Sequence, residues 1–128
     1  MSVEKPMDLK GRLRDYALWI IRPYCSLSKR DDVAVVLGRQ VLRSGTSPGA
    51  QHREACRAKS TAEFISKMEG GLQELEETEY WLDLLEGSQR LSGDTVAPLM
   101  RETRELNAIF TASIKTAKRR KREQDESA

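Results

Sequence analysis

Cysteine and histidine are nearly missing from this chain: Cys25, Cys56 and His52 are all it has in 128 residues. A secreted domain held together by disulfides carries more cysteines at closer spacing. Two reduced thiols in a cytoplasmic protein are therefore expected. A structural zinc ion needs about four ligands, and these residues show neither a CxxC nor an HxxxH spacing, so no metal or cofactor is expected. His52 and Cys56 would share a helical face, but a base–nucleophile pair needs a third group to orient it, and the sequence suggests none. A phosphate-binding Gly-rich loop, a G-x-S-x-G elbow and an HExxH pair are also missing, which argues against an enzyme. No run approaches the ~18 consecutive apolar residues of a membrane-crossing helix. Met1 to Leu9 lacks the hydrophobic stretch of a secretory signal.

What is present is helical. Apolar residues make up 38% and charged residues 33%, a balance that suits amphipathic helices. Four segments repeat their apolar residues with a period near 3.6, and none shows sustained strand alternation. The first places Leu9, Leu13, Tyr16, Ala17, Ile20, Tyr24 and Leu27 on one stripe, with Pro23 predicting a kink or an early stop. Asp31 or Asp32 can cap the second, whose face carries Val33, Ala34, Leu37, Val41 and Ser44. That face then meets Ser44-Gly45-Thr46-Ser47-Pro48-Gly49-Ala50. By propensity this block is a break; by periodicity the stripe resumes at Pro48 and Ala55. The favoured reading is one helix kinked at the block, the alternative two short helices. The block itself reads either as a tight helix–helix crossing or as an anion site built from freed N–H groups.

The third segment opens on a capping box, Ser60-Thr61-Ala62-Glu63. It buries Phe64, Ile65, Met68, Leu72, Leu75, Leu82 and Leu85, with Gly87 as its stop. The fourth, capped by Asp94 or Thr95 and tolerating Pro98 in its first turn, aligns Val96, Leu99, Thr103, Leu106, Phe110, Ile114 and Ala117. Short connections make neighbouring helices antiparallel. The architecture expected is an all-α, up-and-down antiparallel four-helix bundle over residues 9–118. Residues 1–8 are expected to form a flexible N-terminus and 119–128 a charged, disordered tail.

Some residues are left over once each helix has one buried stripe. Leu18 and Trp19 on the first helix, Val36 on the second, and Tyr80, Trp81 and Leu84 on the third lie on second faces. Scattered apolar exposure is ordinary, but aromatics on second faces also fit an oligomer interface. Trp19, Val36, Tyr80, Trp81 and Leu84 are the candidates for it.

Charge is unevenly spread. Residues 1–60 hold 12 basic and 6 acidic side chains, residues 61–92 hold 2 and 8, and residues 93–128 hold 8 and 6. The third helix is thus an acidic rod. The fourth ends in Lys115, Lys118, Arg119, Arg120, Lys121 and Arg122, which read either as phosphate contacts to RNA or DNA or as solubilising charge at a helix C-terminus. Arg39, Arg43, Arg53 and Arg57 recur at about helical spacing, and Arg39 and Arg43 are expected to pair with the acidic rod.

Three blocks carry a family resemblance: Gly38 to Ala50 followed by Arg53-Glu54-Ala55, Lys59 to Met68, and Glu76 to Leu82. In this order and spacing the chain resembles, over about residues 12–117, the bacterial four-helix-bundle proteins first noticed as products of reading frames in intervening sequences of large-subunit ribosomal RNA genes. The resemblance implies an all-α bundle, a ring-forming homo-oligomer that is typically a pentamer, and no enzymatic activity. A distant relative is the accessory protein of diversity-generating retroelements, which partners a reverse transcriptase and binds nucleic acid. Pro23 and His52 depart from the family pattern. The resulting expectation is a non-enzymatic homo-oligomeric scaffold associated with nucleic acid through its basic C-terminal segment. The rival is a protein-interaction module that docks a partner on the acidic third helix.

Overall fold

The computed structural model describes residues 8–127. Four helices follow one another: α1 (Leu9–Ser26), α2 (Asp32–Cys56), α3 (Thr61–Gly87) and α4 (Gly93–Ser127). Cross-helix pairs fix their directions. Gly45 faces Ile20 and Gly38 faces Leu27; Arg43 reaches Glu74 while Lys67 reaches Glu54; Arg104 reaches Glu79 while Lys118 reaches Glu69. In each case residue number rises on one helix as it falls on the next, so the helices run up and down. Arg12 and Tyr16 of α1 meet Glu102 and Thr103 of α4 and close the bundle.

The stripes read from periodicity supply the core, with the exception of Val33, which is exposed at the start of α2. Leu13, Tyr16 and Ile20, Ala34 and Val41, Met68, Leu75, Leu82 and Leu85, and Val96, Leu99, Leu106 and Phe110 are all buried. Full burial of one such side chain is worth about 1.5–3 kcal/mol, so the core is the main source of stability. Phe64 and Leu72 pack against it only half-buried. Two buried α3 positions, Gly71 and Thr78, were not expected. A layer of hydroxyls crosses the middle of the core, one from each helix. Tyr16 Oη lies 2.6 Å from Thr103 Oγ1, and Thr78 Oγ1 lies 2.8 Å from Ser44 Oγ. Burial pushes the Tyr16 hydroxyl far above its usual pKa, against the pull of hydrogen bonds with Thr103 and Thr78. It stays neutral, and because the Thr103 hydroxyl donates to the Leu99 carbonyl at 2.6 Å, Tyr16 is the donor to Thr103.

Asp8 caps α1 by accepting from the Gly11 N–H at 2.9 Å, so it is part of the helix start; the rest of the expected flexible N-terminus, residues 1–7, lies outside the described residues. Pro23 does not stop α1, which continues to Ser26; the Ser26 hydroxyl donates to the Pro23 carbonyl at 2.7 Å. Asp31 caps α2. That helix is unbroken through Ser44–Ala50. Pro48 has no N–H for the Ser44 carbonyl, and the Thr46 and Ser47 hydroxyls bond back to Leu42 and Arg43, the ordinary local causes of helix bending. At the capping box, Ser60 Oγ accepts from the Glu63 N–H, but Glu63 reaches one residue further back, to the Lys59 N–H at 3.0 Å.

The end of α3 falls where expected, and two boundaries of α4 do not. α3 ends at Gly87, yet the left-handed residue of the following turn is Gln89, φ 64°. α4 begins two or three residues early: Ser92 caps it by accepting from the Thr95 N–H at 3.2 Å, not Asp94 or Thr95. And residues 119–127 are helical, not a disordered tail: α4 continues to Ser127. No apolar stripe marks that extension, because it is polar all round; intrinsic propensity and the Lys121–Asp125 pair at 3.0 Å sustain it.

Candidate nucleic-acid interface

α4 has 35 residues, about 52 Å of helix, and α3 has 27, about 40 Å. The longer helix carries its basic end to the start of α3 and past it. Lys115, Lys118, Arg119, Arg120 and Arg122 are exposed and Lys121 is half-buried. Lys118 pairs with Glu69 at 3.3 Å and Lys121 with Asp125. Lys115, Arg119, Arg120 and Arg122 make no ion pair among the described residues. Four cations that keep their hydration and find no internal carboxylate are free to meet an external anion.

A recess of about 790 Å³ opens beside this end, between the α2–α3 connection, the first turn of α3 and the last turns of α4. Its wall carries Cys56, Lys59, Thr61, Phe64, Thr116 and Arg120. Lys59 and Phe64 were not marked as functional by the sequence. Phe64 reads as a stripe residue, and only tertiary packing brings it opposite residue 120.

His52 Nε2 lies 3.5 Å from Cys56 Sγ. Burial, then the charges of Lys10 and Arg53, lower the His52 pKa and so favour the neutral ring. Its Nδ1 has no partner among the described residues, so nothing orients the pair as a base and nucleophile. Cys25 and Cys56 are both free and exposed. Among the described residues no group of His, Cys, Asp and Glu could hold a metal ion, and no helix is long and apolar enough to cross a membrane.

Four of the eight carboxylates of the acidic rod of α3 are answered from within the chain. Arg43 bridges Glu74 and Glu77, Arg104 takes Glu79, and Lys118 takes Glu69. Arg39 was expected to join Arg43 but makes no ion pair among the described residues; it stands exposed on α2.

The second faces divide. Trp19, Val36 and Tyr80 are 46%, 58% and 57% exposed, which leaves them available to another surface. Trp81 and Leu84 are half-buried; Trp81 packs on the core, and its Nε1 has no hydrogen-bond partner among the described residues. Within Ser44–Ala50, Ser44, Gly45 and Pro48 are buried, Thr46, Ser47 and Gly49 are half-buried, and Ala50 is exposed. The close approach is centred on Gly45, where a Cβ would lie 2.7 Å from Ile20 Cγ1; at Gly49 it would make ordinary contact, 3.6 Å from Leu13 Cβ.

Comparison with known proteins follows the same architecture. The model of the family described as 23S rRNA-intervening sequence protein matches residues 8–112, stopping short of Lys115. A solved structure superposes with a TM-score of 0.77 at 35% identity, covering 84% of this chain and 98% of its own. It is the 1.70 Å crystal structure of a protein with unknown function from the S23 ribosomal protein family of Bacteroides thetaiotaomicron. No curated protein matches. With residues 8–112 matched across all four helices, this chain belongs to the 23S rRNA-intervening sequence protein family.

Proposed function

We propose that this protein is a non-enzymatic helical scaffold that assembles with copies of itself, as a pentameric ring, and associates with nucleic acid through the basic end of α4. It would serve an RNA-related process, as an accessory to a reverse transcriptase or another protein that works on nucleic acid, in the cytoplasm. The observation that carries this reading is the set of exposed cations Lys115, Arg119, Arg120 and Arg122, which have no ion-pair partner among the described residues. Neutralising phosphates with such side chains releases counterions and favours binding most at low salt. A ring would present several copies together, and multivalency raises weak affinity. The unoriented His52–Cys56 pair supports a non-enzymatic role. Exposed Trp19, Val36 and Tyr80 supply apolar contact area for assembly.

Docking of a protein partner on the acidic third helix is the weaker reading. Glu69, Glu74, Glu77 and Glu79 are already engaged by cations of the same chain and Glu63 is held by the Lys59 N–H, which leaves Glu76, Asp83 and Glu86 as a thin acidic surface. The deciding measurement is RNA and DNA binding in low salt by the natural chain and by a variant with Lys115, Arg119, Arg120 and Arg122 changed to Ser. The natural chain should bind and the variant should lose most of its affinity. Equal binding by both would remove the role of the basic end.

A further inference from the structure

The recess at the end of the bundle has a composition that the rest of the surface does not predict. The chain carries 20 acidic residues, yet no carboxylate belongs to the described residues lining this recess. Lys59 and Arg120 stand on its wall, and both are exposed without an ion-pair partner among the described residues. Thr61 and Thr116 line the recess along with several alanines, and half-buried Phe64 contributes a ring. The nearby Glu63 carboxylate is held by the Lys59 N–H, which reduces its repulsion of an anion. The recess is also continuous with the free cations of α4, because Arg120 belongs to both.

We propose that this recess seats a single-stranded phosphodiester chain, with phosphates on Lys59 and Arg120 and one base against Phe64. The proposal rests on the nucleic-acid reading given above and adds to it a site, a strand type and a contact set. Cations that track a backbone beside an aromatic face that accepts any base are how proteins hold single strands without sequence preference. At about 790 Å³ the recess has the size of a small-ligand site. A base released from its stack can enter it, whereas a duplex keeps its bases paired inside and meets only the rim.

Cys56 on the recess wall provides a direct reporter, and exposed Cys25, on α1, an internal control. In the Cys25→Ser protein, alkylation of Cys56 by iodoacetamide is followed by mass spectrometry with and without oligouridylate of about 12 nucleotides. The deoxy counterpart and a duplex are run alongside, all at low salt, and binding is measured by fluorescence anisotropy. Single strands should bind and slow alkylation of Cys56 several-fold, while in the Cys56→Ser protein alkylation of Cys25 should not change. The arm that binds more tightly tells RNA from DNA. Changing Lys59 and Arg120 to Ser should lower the slope of log affinity on log salt by about 1.4. Phe64→Leu, with its fold checked by circular dichroism, should weaken binding by about fivefold or more. If the oligonucleotide binds while Cys56 reacts at its free rate, or if a duplex protects Cys56 equally, the proposal is overturned and the basic end of α4 keeps its role. If no oligonucleotide binds at low salt, both readings fall.

Discussion

Glycines forty-five and forty-nine look interchangeable in the sequence and are not. Adding a methyl at Gly45 drives it into Ile20, a buried core residue with 1% exposure, at 2.7 Å. Overpacking of that kind costs about 1–3 kcal/mol. At Gly49 the methyl meets Leu13 Cβ at 3.6 Å, which is ordinary contact, and alanine gains up to about 1 kcal/mol of helix propensity over glycine. Gly45→Ala should therefore lower the melting temperature and Gly49→Ala should leave it unchanged or raise it. A matching loss in both would place the tight crossing elsewhere. Gln89 offers a second test. It holds φ 64° in the turn after α3, a conformation that costs a residue with a side chain roughly 1–2 kcal/mol and glycine almost nothing. Gln89→Gly should raise the melting temperature by a few degrees, even after glycine's greater loss of chain freedom on folding; a fall would mean that the Gln89 side chain contributes a contact that outweighs its backbone strain.

The helix α1 is joined to α4 through few residues, so single polar contacts there carry unusual weight. Arg12 spans Glu102 and Glu105 from α1. The hydrogen bond from Arg12, aided by its charge, holds the Glu102 carboxyl below its ordinary pKa of 4.5, against the opposing effect of burial. A carboxylate depressed in the fold contributes stability that is full above its unfolded value and disappears as pH falls through its folded value. The Glu102→Gln protein should be less stable than the natural chain at pH 7, by about 1 kcal/mol, and the gap should close between about pH 5 and pH 3. Thermal melts across that range test it; a gap independent of pH would deny the ion pair its role. None of this pairing is visible in the sequence, since Arg12 and Glu102 belong to separate periodic segments and nothing local joins them. The helices themselves were legible, because burying Leu75, Leu82 and Leu85 on one face leaves a 3.6-residue imprint. Thr78 lies on the same face, at a spacing that fits, yet a hydroxyl does not register as core until Ser44 is placed opposite it. The last turns of α4 escaped for the opposite reason: polar on every side, they leave no imprint at all.

Charge organises the folded protein differently from what its distribution along the chain suggests. An acidic third helix between basic segments invites the idea that copies pair by opposite charge, but half of its eight carboxylates are engaged inside one chain, by Arg43, Arg104 and Lys118. What a neighbouring copy can meet is chiefly the exposed Trp19, Val36 and Tyr80. Apolar contacts of this type are insensitive to salt at moderate concentration, whereas phosphate binding weakens steeply with it. Sequence patterning could point to both surfaces but not rank them, because ion pairs between α2, α3 and α4 exist only after folding. The two proposed activities should therefore separate along one axis. Light scattering at tens of micromolar should report the same oligomer mass from about 0.05 to 0.5 M salt, while nucleic-acid binding is lost over that range. Trp19→Ser with Tyr80→Ser should produce monomers that still melt cooperatively, since neither side chain is buried in the core. A mass that falls with salt alongside binding would instead assign assembly to charged side chains such as Arg39, Glu76, Asp83 and Glu86, which are exposed and make no ion pair among the described residues.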